Sequence, residues 1–155
     1  AQFYVLNRCS FSGSTLSGGM SPNHTRFTES SIRRLEQFEI NNFTVEHADM
    51  FYWLPSILAN ADTKDTFIYL DPPYLLSENK LYGNKGDRHK GFSHQRLAQL
   101  LSEVSGLGFK WLLSYNDNPT IRSMYQDYHI ESVDWTYGMN KSKCSNEIFI
   151  SNGTE

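Results

Sequence analysis

Cysteine is scarce: Cys9 and Cys144 are the only two in 155 residues. They are too few for a disulfide framework, and neither has a neighbour at metal-ligand spacing. Both are expected as buried free thiols of a protein in a reducing cytoplasm. His24, His47, His89 and His129 also lack metal spacing, so no metal is expected. No apolar run approaches the roughly 20 residues that a membrane-spanning helix requires. No internal repeat or low-complexity tract is present, which excludes solenoid and collagen-like architectures. The 39% of apolar residues suffices for one globular core.

The net charge of −3 hides an uneven distribution. In residues 1–34, Arg8, Arg26, Arg33 and Arg34 stand against Glu29 alone. Residues 35–71 carry seven acids against Lys64. Residues 72–96 turn basic again through Lys80, Lys85, Arg88, Lys90 and Arg96. Two basic segments in an acidic chain are candidates for phosphate-binding faces.

The apolar spacing predicts the elements. Residues 3–6 form a short apolar run that suits a helix or a strand. A long Ser-, Gly- and Asn-rich segment from Cys9 to Thr28 follows. Thr28 caps a helix to Phe38, with Ile32, Leu35 and Phe38 inward. A second helix spans Met50 to Ala61, where Pro55 is tolerable only near the first turn. Phe67-Ile68-Tyr69-Leu70 reads as a strand buried on both faces. Ser93 caps a helix carrying Leu97, Leu100, Leu101 and Val104, stopped by Gly106 and Gly108. Phe109–Tyr115 is a strand, Asn118-Pro119 opens a short helix, and strands at 129–137 and 147–150 close the chain. Strands alternating with helices predict an α/β fold with a mainly parallel sheet. Trp53, Trp111 and Trp135 are expected in the core.

Asp71-Pro72-Pro73-Tyr74 stands at the C-terminal end of the first strand, where open α/β sheets bind ligands. The prolines stiffen the turn and remove two backbone donors, so the backbone presents carbonyl acceptors. Asp71 adds a carboxylate and Tyr74 a flat aromatic face. Acceptors beside an aromatic plate suit an exocyclic amine on a stacked heterocycle. Hydrogen bonds to Asp71 and the Pro72 carbonyl would leave the amine's lone pair free to attack an electrophilic methyl group.

These residues, together with their flanks, resemble the Dam-like class of adenine-N6 DNA methyltransferases. The likeness extends upstream to Asn7-Arg8 with Phe11 and Gly13, and to Asp49-Met50. Downstream it includes Phe92 and His94, Leu113-Ser114-Tyr115-Asn116-Asp117, and Asn146-Glu147-Ile148-Phe149-Ile150. It implies S-adenosylmethionine as methyl donor, and duplex DNA with an adenine flipped out of the stack as substrate. Under it, Asp71, Pro72, Pro73 and Tyr74 are catalytic, and Asp49, Met50 and Asp71 line the cofactor. Asn7, Arg8, Phe11, Ser12, Arg26, Lys85, Arg88 and Lys90 are implied DNA contacts. Ser12 and Leu16 stand where relatives methylating within GATC carry Asn and Arg, so another recognition sequence is expected.

The resemblance divides the chain into a helical target-recognition segment, 1–62, and the catalytic half of the methyltransferase domain, 63–155. The implied fold is a partial Rossmann-like methyltransferase sheet, mainly parallel with an antiparallel closing strand. The class's Gly-rich strand–turn–helix, which wraps the cofactor, has no counterpart in these residues. The chain is therefore expected to be a truncated or split form whose first strand lies at an open edge. The cofactor-binding half would be supplied by a second chain or by self-association. Two rival readings are a non-catalytic DNA-binding remnant and a guanine-N2 RNA methyltransferase.

Overall fold

Each of the four longer-range helical predictions begins at a side chain that can cap it. The computed structural model describes residues 2–10, 20, 26–75, 91–136 and 144–153. Helix α1 is Gln2–Cys9, which resolves the ambiguous run at 3–6 as helix. Helix α2 (Glu29–Glu36) starts with a reciprocal capping box between Thr28 and Ser31. Helix α3 (Met50–Leu58) is capped by Asp49, whose carboxylate accepts from the Phe51 N–H at 2.9 Å. Pro55 sits within α3 beyond its first turn, and the helix stops at Leu58, short of the predicted Ala61.

Strand β1 is Phe67–Leu70. Helix α4 (His94–Gly106) is capped by Ser93, and strand β2 is Lys110–Asn116. Gly108 stands between them with φ of 87°, a conformation that strains any residue bearing a Cβ. Helix α5 (Pro119–Met124) has Asn118 as its cap and proline at its start. Strands β3 (His129–Thr136) and β4 (Cys144–Ser151) complete the fold.

The sheet order is β1-β2-β4-β3. Strand β2 pairs parallel to β1, and β4 pairs antiparallel to both β2 and β3. Three strands therefore share one direction and the last opposes them, in a mixed α/β architecture. Register aligns Ile68 with Trp111, Leu70 with Leu113, Leu113 with Ile150 and Tyr115 with Ile148. These buried residues pack with Leu54 and Leu58 of α3, with Leu97, Leu101 and Val104 of α4, and with Ile121 and Tyr125.

The opposite face corrects the prediction for β1. Phe67 and Tyr69 are 65% and 58% exposed, so the strand is buried on one face rather than two. The reason is position: β1 is the sheet's terminal strand, and the core helices cover only the Ile68–Leu70 side. Three further burial predictions need correction. Leu35 and Phe38 are exposed on α2 and just beyond it, because they flank an open cleft instead of a core. Trp53 is partly exposed, one residue before the buried Leu54. Cys9 is half-buried at the end of α1, which has no fully buried residue.

The chain forms two compact units. Helices α1 and α2 belong to one. Helix α3 belongs with the sheet in the other, although chain order groups it with the segment before residue 63. Packing of Leu54 and Leu58 into the sheet's core explains that assignment. Among the described residues no helix is long and apolar enough to cross a membrane.

Candidate active site

Strand β1 ends at Leu70 and delivers Asp71 to the C-terminal edge of the sheet. Asp71 is exposed, Pro72 is buried, and Pro73, Tyr74 and Leu75 are half-buried. A neighbouring strand fixes the carboxylate. Ser114 of β2, 3% exposed, donates from Oγ to Asp71 Oδ1 at 2.9 Å. The Leu70 carbonyl lies 3.3 Å from the same hydroxyl, but the charged oxygen is the nearer and stronger acceptor. Tyr69 Oη donates in turn to Ser114 Oγ at 3.3 Å. Oδ2 of Asp71 receives no donor among the described residues and stays open to a ligand.

The end of β2 also pins the turn. Asn116 Nδ2 donates to the Leu75 carbonyl at 3.0 Å, and Asn118 Nδ2 reaches the same oxygen at 3.4 Å. Asn116 Oδ1 is buried without a partner among the described residues, an unused acceptor in the side chain that grips the turn. Asp117, between the two asparagines, is held by Arg122 through contacts of 2.6 and 3.0 Å, and Arg122 also reaches Ser132 of β3 at 2.7 Å.

Hydrogen bonding from Arg122 holds the Asp117 carboxyl below its ordinary range. A carboxyl depressed in the folded state adds stability above its unfolded value and loses it as pH falls through the folded one. Asp117→Asn should therefore slightly lower the unfolding midpoint near neutrality. The difference from wild type should vanish in acid, as thermal melts across pH would show.

Tyr74 stands 6.1 Å, ring centre to ring centre, from Tyr115, which is fully buried. The Tyr115 hydroxyl lies 2.6 Å from Nδ1 of the buried His94. Burial first, and Tyr125 second, push the Tyr115 phenol far above its ordinary value, so it stays protonated and can donate to His94. Rings then continue from His94 to Phe92 at 5.2 Å and from Phe92 to Phe51 at 5.7 Å. Phe51 directly follows Asp49 and Met50, and the Arg96 guanidinium lies 4.3 Å above its ring. One aromatic line thus links the start of α3 to Tyr74 within a single compact unit.

Asp49 and Met50, beside Phe51, and Tyr74, which follows Asp71, stand at opposite ends of this ring line in the same compact unit. Asn7, Arg8 and Arg26 meet in the other unit, where Arg26 donates to the carbonyls of Asn7 and Ser10. Phe11, Ser12, Lys85, Arg88 and Lys90 lie outside the described residues. Ser114 was absent from the sequence-derived site. A single polar residue inside an apolar strand, one step past the register partner of Leu70, was the signal for it. His94, part of the family resemblance, is buried behind Tyr115.

If Asp71 acts on a reacting group, Ser114→Ala should slow that reaction about tenfold, because a hydrogen bond to a charged group is typically worth about 1.5 kcal/mol or more. Turnover of the Ser114→Ala and Ser114→Thr variants checks this, with Thr retaining the donor.

Among the described residues no cluster of His, Cys, Asp and Glu could hold a metal ion. Compared with known families, residues 1–139 match the model described as D12 class N6 adenine-specific DNA methyltransferase. No curated protein matches the chain.

Proposed function

This chain belongs to the D12 class of N6 adenine-specific DNA methyltransferases, and we propose that it uses Asp71–Tyr74 to methylate adenine N6 in duplex DNA. The observation that carries this reading is the Ser114–Asp71 contact at the end of β1, beside a rigid Pro-Pro turn and an aromatic ring. With Oδ1 engaged, Asp71 retains one oxygen to accept from an adenine amino group, and the Pro72 carbonyl supplies a second acceptor. Tyr74, backed by Tyr115, offers its face to the base. The two acceptors would orient the amino hydrogens and turn the nitrogen's lone pair outward for attack.

S-adenosylmethionine, when bound, supplies the electrophilic methyl group. The residues at hand fit it by the chemistry of their acceptors. Asp49 spends one oxygen on the α3 cap and keeps the other for a hydroxyl or amine. Oδ2 of Asp71, which would accept from the adenine amino group, has a second lone pair for the cofactor. Met50, half-buried against the core, adds an apolar wall.

The terminal position of β1 in the sheet of described residues and the exposed Phe67 and Tyr69 favour a further element of this reading. Additional strands would pair along β1 and complete a Rossmann-like sheet and its cofactor pocket. A second chain, another copy or a further part of the same polypeptide would supply them. Under this reading, residues 1–62 serve target recognition and 63–155 catalysis.

Two titrations test the proposal. Labelled duplex DNA bound to the chain should be displaced by unlabelled duplex at lower concentration than by structured RNA. Displacement by RNA at equal or lower concentration would favour the guanine-N2 RNA alternative. Calorimetry with S-adenosylmethionine tests the sheet. Absence of heat at millimolar ligand is expected if β1 awaits further strands. A dissociation constant near 10 μM, about −7 kcal/mol, would show a pocket complete without them.

A further inference from the structure

Strand β1 presents Phe67 and Tyr69 on the face opposite the core, and β2 presents Leu112 and Ser114 on the same side. Register pairs Tyr69 with Leu112, so Ser114 lies one diagonal step further along β2, within reach of a long side chain. Phe67 has Leu112 at the corresponding diagonal, where a hydroxyl would find nothing to bond. The phenol of β1 thus stands where its ring reaches the buried hydroxyl of β2, and Tyr69 Oη donates to Ser114 Oγ at 3.3 Å. On the other side of Ser114 the register places the half-buried Phe149 of β4. Water can satisfy the phenol, which is more than half exposed, whereas Ser114 is shut in. The bond therefore matters more to the serine than to the tyrosine.

Ser114 carries one hydroxyl proton and has two acceptors in reach, the Leu70 carbonyl at 3.3 Å and Asp71 Oδ1 at 2.9 Å. A hydroxyl oxygen that accepts a hydrogen bond becomes a stronger donor, and the lone pair engaged by Tyr69 narrows the directions left for the proton. We propose that Tyr69 is a positioning residue for the reaction at Asp71, its hydroxyl committing the single Ser114 proton to Oδ1 and thereby keeping Oδ2 for the adenine amino group. The assignment rests on Asp71 acting on that amino group. Tyr69 acts here through Ser114 alone. Its ring serves to carry the hydroxyl across the strands, whereas Tyr74 offers its face to the base.

The test is a double-mutant cycle of Tyr69→Phe with Ser114→Ala in the full chain, read in two ways. In urea unfolding of the protein without ligand, Tyr69→Phe should lower the folding equilibrium constant about threefold, the modest end for one hydrogen bond. It should change nothing once Ser114→Ala has removed the acceptor. In single-turnover methyl transfer, with protein in a form that binds S-adenosylmethionine, Tyr69→Phe should slow the step about threefold and leave duplex-DNA and cofactor affinity unchanged. In the Ser114→Ala background it should slow the step no further. A loss of equal size in both backgrounds, in either measurement, overturns the inference, as does a Tyr69→Phe rate equal to wild type. Weakened cofactor binding by Tyr69→Phe would also overturn it, because the side chain would then serve the pocket rather than Ser114. Failure of the methylation reading would appear differently: the unfolding cycle would still show the coupling, while wild-type protein with bound cofactor would transfer no methyl group to DNA.

Discussion

In protein able to bind S-adenosylmethionine, Asp71→Ala is expected to lower methyl transfer about 10²–10³-fold, the usual cost of removing one preorganised group that acts on the reacting atoms. Duplex-DNA affinity should stay within about twofold, because phosphate contacts dominate it. The expectation follows from how the carboxylate is held. Ser114 fixes Oδ1 at 2.9 Å, the buried Pro72 fixes the backbone beyond it, and Asn116 pins the turn through Leu75. Such positioning matters only if the open oxygen meets a reacting group. Asp71→Asn should recover part of the rate, since its amide oxygen still accepts a hydrogen bond. Single-turnover rates with labelled cofactor decide the matter. Asp71→Ala within about tenfold of wild type would place the chemistry elsewhere.

Trp111→Ala should destabilise the sheet unit by about 3–5 kcal/mol, the range for truncating a buried aromatic residue. The side chain is 1% exposed at the centre of the core. Its ring packs edge-on against Tyr128 at 5.0 Å and Tyr125 at 6.3 Å, and Nε1 donates to Ser105 Oγ at 2.8 Å. Alanine would leave a large cavity and deprive Ser105 of a donor. Domains of this size hold about 5–15 kcal/mol in total, so the loss is a substantial fraction. Urea unfolding followed by far-ultraviolet dichroism measures it. Trp111→Phe should cost less, because most of the volume is retained.

The element order was legible in the sequence because local chemistry agreed with tertiary packing. Thr28, Ser93 and Asn118 cap the helices they announce, and the Leu97–Val104 spacing faces the core as its period requires. Burial was less legible. An apolar run such as Phe67–Leu70 carries no period to distinguish a central strand from a terminal one, and the answer lay in pairing along the sheet. Leu35 and Phe38 follow helical spacing yet border a charged cleft. In the site, the Asp-Pro-Pro-Tyr turn was readable from chemistry and position. Ser114 and Tyr115 lie more than 40 residues away along the chain and reach Asp71 and Tyr74 only through the β1–β2 register. The link between Asp49 and that turn likewise depends on Phe51, Phe92 and His94 stacking across three elements.

Identification of the methylated nucleoside tests the central claim most directly. Unmethylated duplex DNA of mixed sequence is incubated with the protein in a form that binds S-adenosylmethionine and with the methyl-labelled cofactor, then digested to nucleosides and separated. The account predicts label in N6-methyladenine alone, lost on Asp71→Ala substitution. Label in a cytosine product, or in guanine N2 when RNA is offered beside DNA, would contradict it.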